Sequence, residues 1–399
     1  MNTTKTPTAA KPENVQGSAQ TATSQPGASP SKWVAAAERL GTAFAQDAER
    51  NDREGRFVAA HYDDLRDAGL ISFAVPLELG GGGAPSSEVA ETLRTLARYC
   101  PSTALALSMH THLVCASVFK WTKGLPEEAL LKRVVAEDLV LISTGAGDWI
   151  DSNGTVTKVD GGFRVTATKT FASGSMIGDV FVTTGRYEDS EEGTQVLHFP
   201  VARTAEGVTV GDDWDTLGMR ATGSQTVRFE DVFVPEEKVA LRREPGAWHP
   251  AYNVVVGVAM PLIMSVYRGI AERARDLAFE SAPDESDSYL QSRFGALQSD
   301  ATELAILVDD MIRTVAEYEF QPTVDTADRT LVAKSRAAEL AKDTVSKAMD
   351  LVGGRAFFRR HELERLFRDI QAGAYHPLPR AKQIMFTGRH GLGLDPHAS

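Results

Sequence analysis

From Trp33 to about Ala136, apolar residues recur at three- and four-residue steps, which predicts helices, with breaks at Gly69, from Pro76 to Pro85 and at Pro101. Inside this region the run Thr103 to Trp121 is apolar on nearly every side. It predicts a helix buried in the middle of its domain, and that helix carries His110 and His112. The period changes after about Leu139. Thr155 to Val159, Asp160-Gly161-Gly162 and Phe163 to Lys169 read as a hairpin, and Val180 to Thr184, Gln195 to Val201 and Gln225 to Phe229 add further strands. From about Ala251 the helical period returns. Ala333, Ala337, Ala341, Val345, Ala348 and Val352 line one face, and Gly353-Gly354 stops that helix. The order is helices, strands, helices. It divides the chain into a tail at 1–31, a helical domain at 32–137, a β domain at 138–245 and a second helical domain at 246–394.

A chain of 399 residues has room for two or three domains around a continuous core. Residues 1–31 are rich in Thr, Ala, Ser, Pro and Gln, too polar for a signal-peptide core and too poor in bulk to bury, so a disordered tail is expected. The net charge of −12 and the absence of any run of five Lys or Arg argue against nucleic acid or an anionic membrane as partner. A small-molecule partner fits better. Cys100 and Cys115 form no C-x-x-C pair, so neither a zinc ribbon nor a disulfide framework is expected, no metal site is expected, and a cytoplasmic location is the default. No stretch reads as long and apolar enough to cross a bilayer. Gly80 to Gly83 lacks the Lys-Ser/Thr of a phosphate loop and reads as an inter-helix loop. The chain has no G-x-G-x-x-G, so any flavin is bound without a dinucleotide-fold unit.

Four segments of the β region carry more. Ser143-Thr144-Gly145-Ala146-Gly147, Lys169-Thr170-Phe171-Ala172-Ser173-Gly174, Leu217-Gly218-Met219-Arg220-Ala221-Thr222 and Phe229 to Pro235 occur in an order that resembles the β domain of the acyl-CoA dehydrogenase superfamily. Gly353-Gly354 and Leu366-Phe367-Arg368-Asp369 are similar to its C-terminal signature, and the resemblance covers about residues 35 to 394. It implies an α+β protein with an N-terminal helical domain, a central β-barrel-like domain and a C-terminal four-helix bundle, assembled as a homotetramer or homodimer. It further implies FAD, with FMN as the alternative, held between the β domain and the C-terminal helices, its adenosine end reaching a neighbouring subunit. By position, Ser143, Thr144, Phe171, Ser173, Arg293, Gln298, Gly353 and Gly354 would hold that cofactor. An arginine suits a pyrophosphate because its planar fork binds two oxygens at once. Two departures stand out. Asp350 occupies the place of a glutamine and would repel a pyrophosphate, and Phe171 stands where the family has tryptophan.

The family's dehydrogenases need a carboxylate to remove the substrate's α-proton. The usual position, nine residues after Arg368, is Pro377, and the alternative position on the earlier helix is Asn253. No glutamate lies between Glu244 and Glu272. The chain offers His376 instead, with His110 or His112 from the buried helix. This pairing resembles the two-component flavin monooxygenases of the superfamily, such as dibenzothiophene monooxygenase and the aminosugar N-oxygenases, which take reduced flavin from a reductase and add oxygen at the flavin C4a carbon. Neutral imidazoles suit that chemistry, because they donate hydrogen bonds and pass protons without a carboxylate's charge. His376 and His110 are expected at the flavin edge, and His112 is expected to be a core residue. His61, His198, His249, His361, His390 and His397 read as surface residues. The favoured function is thus a reduced-flavin, O2-using monooxygenase of a small substrate, hydrophobic if the apolar run Val254 to Met264 lines the pocket. An acyl-thioester dehydrogenase using Glu362, Glu364 or His376 as base is the alternative, and a non-catalytic helical scaffold is the third reading.

Overall fold

The computed structural model describes residues 31–145, 150–282 and 287–396. The expected tail (apart from Ser31), Ala146 and Gly147 of the first β-domain motif, and His397 lie outside the described residues. The N-terminal domain consists of α1 (Lys32–Glu54), α2 (Ala59–Asp67), α3 (Ser86–Ala97), α4 (Pro101–Thr122) and α5 (Glu128–Ala136). Ser31 caps α1 with its side chain and Gly55 ends it in the left-handed conformation. Pro101 opens α4 where a missing N–H costs nothing. α4 is buried nearly all round, as its lack of a polar stripe predicts.

The β domain contains β1 (Leu141–Ser143), β2 (Thr155–Val159), β3 (Gly162–Ala172), β4 (Val180–Asp189), β5 (Gly193–Ala202), β6 (Val208–Val210), β7 (Gln225–Pro235) and β8 (Leu241–Arg243). They form one mixed sheet in the order β6-β7-β3-β2-β4-β5-β8, with β1 added parallel to β4. Asp160 and Gly161 make the two-residue hairpin loop that the sequence predicts, with Gly161 at φ 73°. β7 runs six residues past the expected end at Phe229. The alternation breaks at Glu230-Asp231 because the strand bulges there. The β3–β7 register shifts opposite this point, and Asp231 adopts φ 54°.

The C-terminal domain has three long helices, α6 (Ala251–Glu280), α7 (Ser288–Val315) and α8 (Val324–Val352), completed by the shorter α9 (Glu362–Asp369) and α10 (Arg380–Gly391) packed on α8. The membrane expectation needs correcting. α4 and α6 are both long and apolar enough to cross a bilayer, but 83% of the most apolar window of each is buried inside the protein, so their composition serves the core. The two helical domains share that core, since α3 and α4 pack across α6. Gly269 makes the α3–α6 approach possible: a Cβ there would lie 2.3 Å from the carbonyl oxygen of Arg94.

Two polar junctions hold the domains in register. The buried Glu272 of α6 is gripped by Arg268 at 2.8 Å, by Arg98 at 3.5 Å and by Arg94. Burial pushes its carboxyl up, but the three guanidinium groups outweigh that and hold it below the ordinary range. The second junction joins all three domains at Arg368-Asp369. Arg368 forks onto Asp52 of α1 at 2.6 and 2.9 Å and reaches the carbonyl of Leu217 at 3.2 Å. The buried Asp369 accepts the backbone N–H of Met219 at 2.5 Å. Gly218 lies so close that a Cβ would come within 2.2 Å of the Arg368 carbonyl oxygen.

Glu272→Gln is expected to lower unfolding free energy at neutral pH by about 3–5 kcal/mol, because three arginines lose their shared counter-charge. Urea midpoints measure this. The gap to the parent should narrow as pH falls below about 4, since the parent's contribution is present above the unfolded carboxyl's pKa and is lost as the folded carboxyl protonates.

Candidate active site

α9 is followed by a 3-10 turn, Ile370–Ala374, and then by the loop that presents His376. The loop is anchored from beneath. Lys334, buried on α8, donates to the carbonyl oxygens of His376 at 2.5 Å and Leu378 at 3.1 Å. On α6, the buried Tyr267 hydroxyl stands 2.7 Å from His376 Nε2, and its ring lies against Gly373. Burial, then the charge of Lys334 and the nearby His112, lower the His376 pKa to about 3. Burial brings Lys334 itself down to about 8.

The two histidines of α4 have different surroundings. His110 Nε2 donates to the Ile71 carbonyl at 2.9 Å while its Nδ1 accepts the Leu141 N–H at 3.0 Å. Both ring nitrogens are thereby committed to backbone, and the side chain ties α4 to the loop at Ile71 and to β1. His112 donates from Nδ1 to the Ser108 carbonyl at 3.0 Å, and among the described residues its Nε2 has no hydrogen-bond partner. Burial lowers both pKa values to about 4. The imidazole that faces His376 electrically is that of His112, two residues from the one favoured by sequence.

The β-domain turn supplies a flat apolar surface. Phe171 sits at φ 61° with 54% of its surface exposed, its ring edge-on to Trp214 at 5.8 Å. Ser173 is linked to the C-terminal domain by a run of hydrogen bonds: to Ser224 Oγ at 2.7 Å, from there to Thr222 Oγ1 at 2.6 Å, and on to the Met219 carbonyl at 2.9 Å, beside the Met219 N–H held by Asp369. Burial raises the Asp369 carboxyl to about 6. Ser143 ends β1 half-buried, and Thr144 bonds to the Val182 carbonyl at 3.2 Å and to Thr183 Oγ1 at 2.9 Å. The exposed, left-handed Phe171 offers an apolar face, and among the described residues His112 Nε2 and His376 Nδ1 have no hydrogen-bond partner, a chemistry compatible with the face and polar edge of a flavin ring.

The remaining predicted cofactor residues lie apart from this turn. Asp310–Arg329, Glu303–Arg336 and Asp300–Lys347 step along the antiparallel α7–α8 pair, which puts Arg293 and the exposed Gly353-Gly354 at the same end of it. Arg293 lies over the Tyr289 ring at 5.8 Å, and the exposed Gln298 bonds to Thr302 Oγ1 at 3.1 Å. Asp350 is exposed close to the glycines.

Neither dehydrogenase base position holds an acid or base. Pro377 is buried, and Asn253 is engaged at both ends of its amide, its Oδ1 accepting from Trp248 at 2.7 Å and its Nδ2 donating to the Pro322 carbonyl at 3.0 Å. Glu362 is paired with Arg273 and Glu364 with Arg368. Several other expectations change. In the run Val254 to Met264, Val254 and Val255 are half-buried and Val256 to Met264 are buried between helices, a burial that core packing accounts for by itself. His61 is buried, stacked on Phe44 at 3.9 Å and bonded to Thr103 at 2.7 Å, and not on the surface. His198, His249, His361 and His390 are half-buried, and each has a partner: Arg243 for His198, the Ala251 N–H for His249, the Leu363 N–H for His361 and Asp325 for His390. Sequence reasoning missed Tyr267 and Lys334, and it singled out Asp369 as part of a signature without foreseeing its bond to Met219. A signal for Lys334 was present, because it falls on the buried face of α8 between Leu331 and Ala338.

Three family matches run along the chain: the acyl-CoA dehydrogenase N-terminal domain over residues 34–138, the middle domain over 144–232 and the C-terminal domain over 251–380. The amino sugar nitrososynthase DnmZ of Streptomyces peucetius is 31% identical over 89% of this chain and 92% of its own length. The dibenzothiophene monooxygenase of Rhodococcus qingshengii is 27% identical over 90% and 93%. The solved structure of KijD3 in complex with FMN and dTDP-3-amino-2,3,6-trideoxy-4-keto-3-methyl-D-glucose superposes with a TM-score of 0.82 at 28% identity, covering 91% of this chain and 94% of that one. With three consecutive domain matches and relatives aligned over nearly their whole length, the chain belongs to the acyl-CoA dehydrogenase superfamily, as an enzyme of its flavin-dependent monooxygenase branch.

Proposed function

We propose that this enzyme uses a reduced flavin, delivered by a separate reductase, and O2 to insert one oxygen atom into a small organic substrate, with an amine nitrogen as the favoured target. The observation that carries the reading is the loss of a carboxylate at both base positions beside two imidazoles held neutral, the buried His112 and the half-buried His376. The flavin supplies the electrons that activate O2. Around it the chain supplies an apolar face at Phe171 and two uncharged groups, His376 and His112, that exchange hydrogen bonds and protons without repelling a developing negative charge. His112 takes the role that the sequence gave to His110, whose nitrogens are spent on backbone. The amine target is supported by the nitrososynthase relative and by the amino sugar bound to KijD3.

FMN is the cofactor we favour over FAD. The bound flavin of KijD3 is FMN, and the exposed Asp350 beside Gly353-Gly354 would repel the pyrophosphate of a dinucleotide. Association of copies through the exposed end of α7 and α8, and a cytoplasmic location in keeping with two free buried cysteines, belong to the same reading.

Rapid mixing of the protein, loaded with chemically reduced FMN, against oxygenated buffer should give a transient near-ultraviolet band before the oxidised-flavin spectrum. Single-step reoxidation, together with anaerobic bleaching of the oxidised holoenzyme by an acyl-CoA, would return the dehydrogenase reading. His376→Ala should keep flavin affinity within a few-fold while product per flavin oxidised falls by about 100-fold or more and hydrogen peroxide appears instead. Equilibrium titration followed by flavin fluorescence should rank FMN above FAD, and Asp350→Gln should narrow the difference. An unchanged ranking in which FAD binds tighter contradicts the FMN assignment.

A further inference from the structure

Hydrogen-bond arithmetic fixes which nitrogen of each active-site histidine carries the proton. A carbonyl oxygen only accepts, so His112 Nδ1, 3.0 Å from the Ser108 carbonyl, must be the protonated nitrogen, and Nε2 of the neutral ring is left as an acceptor. For His376 the partner is a hydroxyl that can act either way, and burial decides. Tyr267 is fully buried, and among the described residues its hydroxyl has one partner, His376 Nε2 at 2.7 Å. If Nε2 held the proton, the phenol hydrogen would be left in the core with nothing to bond. That arrangement is disfavoured by roughly ten- to a hundredfold. The phenol therefore donates, Nε2 accepts, and a neutral His376 carries its hydrogen on Nδ1, which has no partner among the described residues.

Neutrality has its own device. The Lys334 ammonium donates to the His376 carbonyl, so a second positive charge on the same residue is opposed. The groups facing His376 from the surrounding elements are Lys334 on α8, His112 on α4 and Tyr267 on α6, with Asp369 of α9 acting on Tyr267; none places a carboxylate directly on the imidazole. His110 obeys the same arithmetic, with Nε2 donating and Nδ1 accepting, and serves only backbone.

We propose that Tyr267 and Lys334 are positioning residues that fix His376 as a neutral Nδ1–H donor, opposite in polarity to the Nε2 acceptor of His112. The inference rests on the reading of these histidines as the polar pair of the flavin site, but the tautomer exists without flavin and is measured without it. Tyr267 orients through its one donor proton. Lys334 acts through charge and through the loop carbonyls. Neither touches the reacting atoms.

The experiment is nitrogen-15 NMR of the full-length protein labelled at histidine, without flavin, with His376 assigned by the signals lost in His376→Ala. The parent should show His376 protonated at Nδ1 alone, with no titration down to about pH 5. In Tyr267→Phe the ring should become a mixture with a substantial Nε2–H population, and in Lys334→Met its protonation midpoint should rise by about one unit or more. An Nε2–H signal in the parent, or a tautomer unmoved by Tyr267→Phe, overturns the role of the tyrosine. An unmoved midpoint in Lys334→Met overturns that of the lysine. If the tautomer is as inferred and yet no transient band forms with reduced FMN and O2, the oxygenase reading fails while the positioning inference stands.

Discussion

The site exists because three domains meet at one polar clip. Arg368 and Asp369 are adjacent on a short helix, yet between them they hold α1, the Leu217–Met219 turn of the β domain and the start of the loop that ends at His376. The exposed ring of Phe171, proposed as the flavin platform, and the imidazole at 376 come from sequence positions about two hundred residues apart. Their relative placement is set by the run of hydroxyl and backbone hydrogen bonds from Ser173 to Asp369. A network of this kind has value only when complete, since each member is buried and would be left unsatisfied by loss of its neighbour.

The electrostatic character of the site follows from what surrounds it. A dehydrogenase needs an anion poised to accept a proton, whereas here the buried groups packed around the loop are pushed toward neutrality. His112 and His376 are desolvated below their ordinary range, Tyr267 is raised well above its own, and Lys334 is brought down toward neutral pH. A single charged residue introduced among them would lack the counter-charges that Glu272 enjoys between α3 and α6. The protein thus separates the paired charges that brace its helices from the desolvated groups around His376, among which, within the described residues, the Lys334 ammonium is the one cation.

Much of the architecture was legible in the sequence. Helical and alternating periods located α4, the hairpin of β2 and β3, and the stop of α8 at Val352, because those elements are long or bounded by glycine. β1, β6 and β8 were not legible, since three residues cannot display an alternation, and the second half of β7 was hidden by the bulge at Asp231. In the site, His376 announced itself by occupying a loop where the family keeps its base. The choice between His110 and His112 could not be made from helix periodicity, because both are buried and only the long-range backbone partners Ile71 and Leu141 separate them. Tyr267 was invisible for a similar reason: on an apolar helix its side chain reads as core, and its role depends on a contact 109 residues away.

Phe171 pairs a left-handed backbone with a large exposed ring, two properties that proteins seldom combine. Glycine or asparagine would sit there with less strain, and the folded chain would gain stability by accepting either. Laboratory selection for heat tolerance alone would therefore be drawn to this position early and would remove the exposed ring while improving the scaffold. On the proposed role of Phe171, a variant that melts higher and binds flavin less well would have its cause here, in a residue whose awkward geometry is the condition of its usefulness.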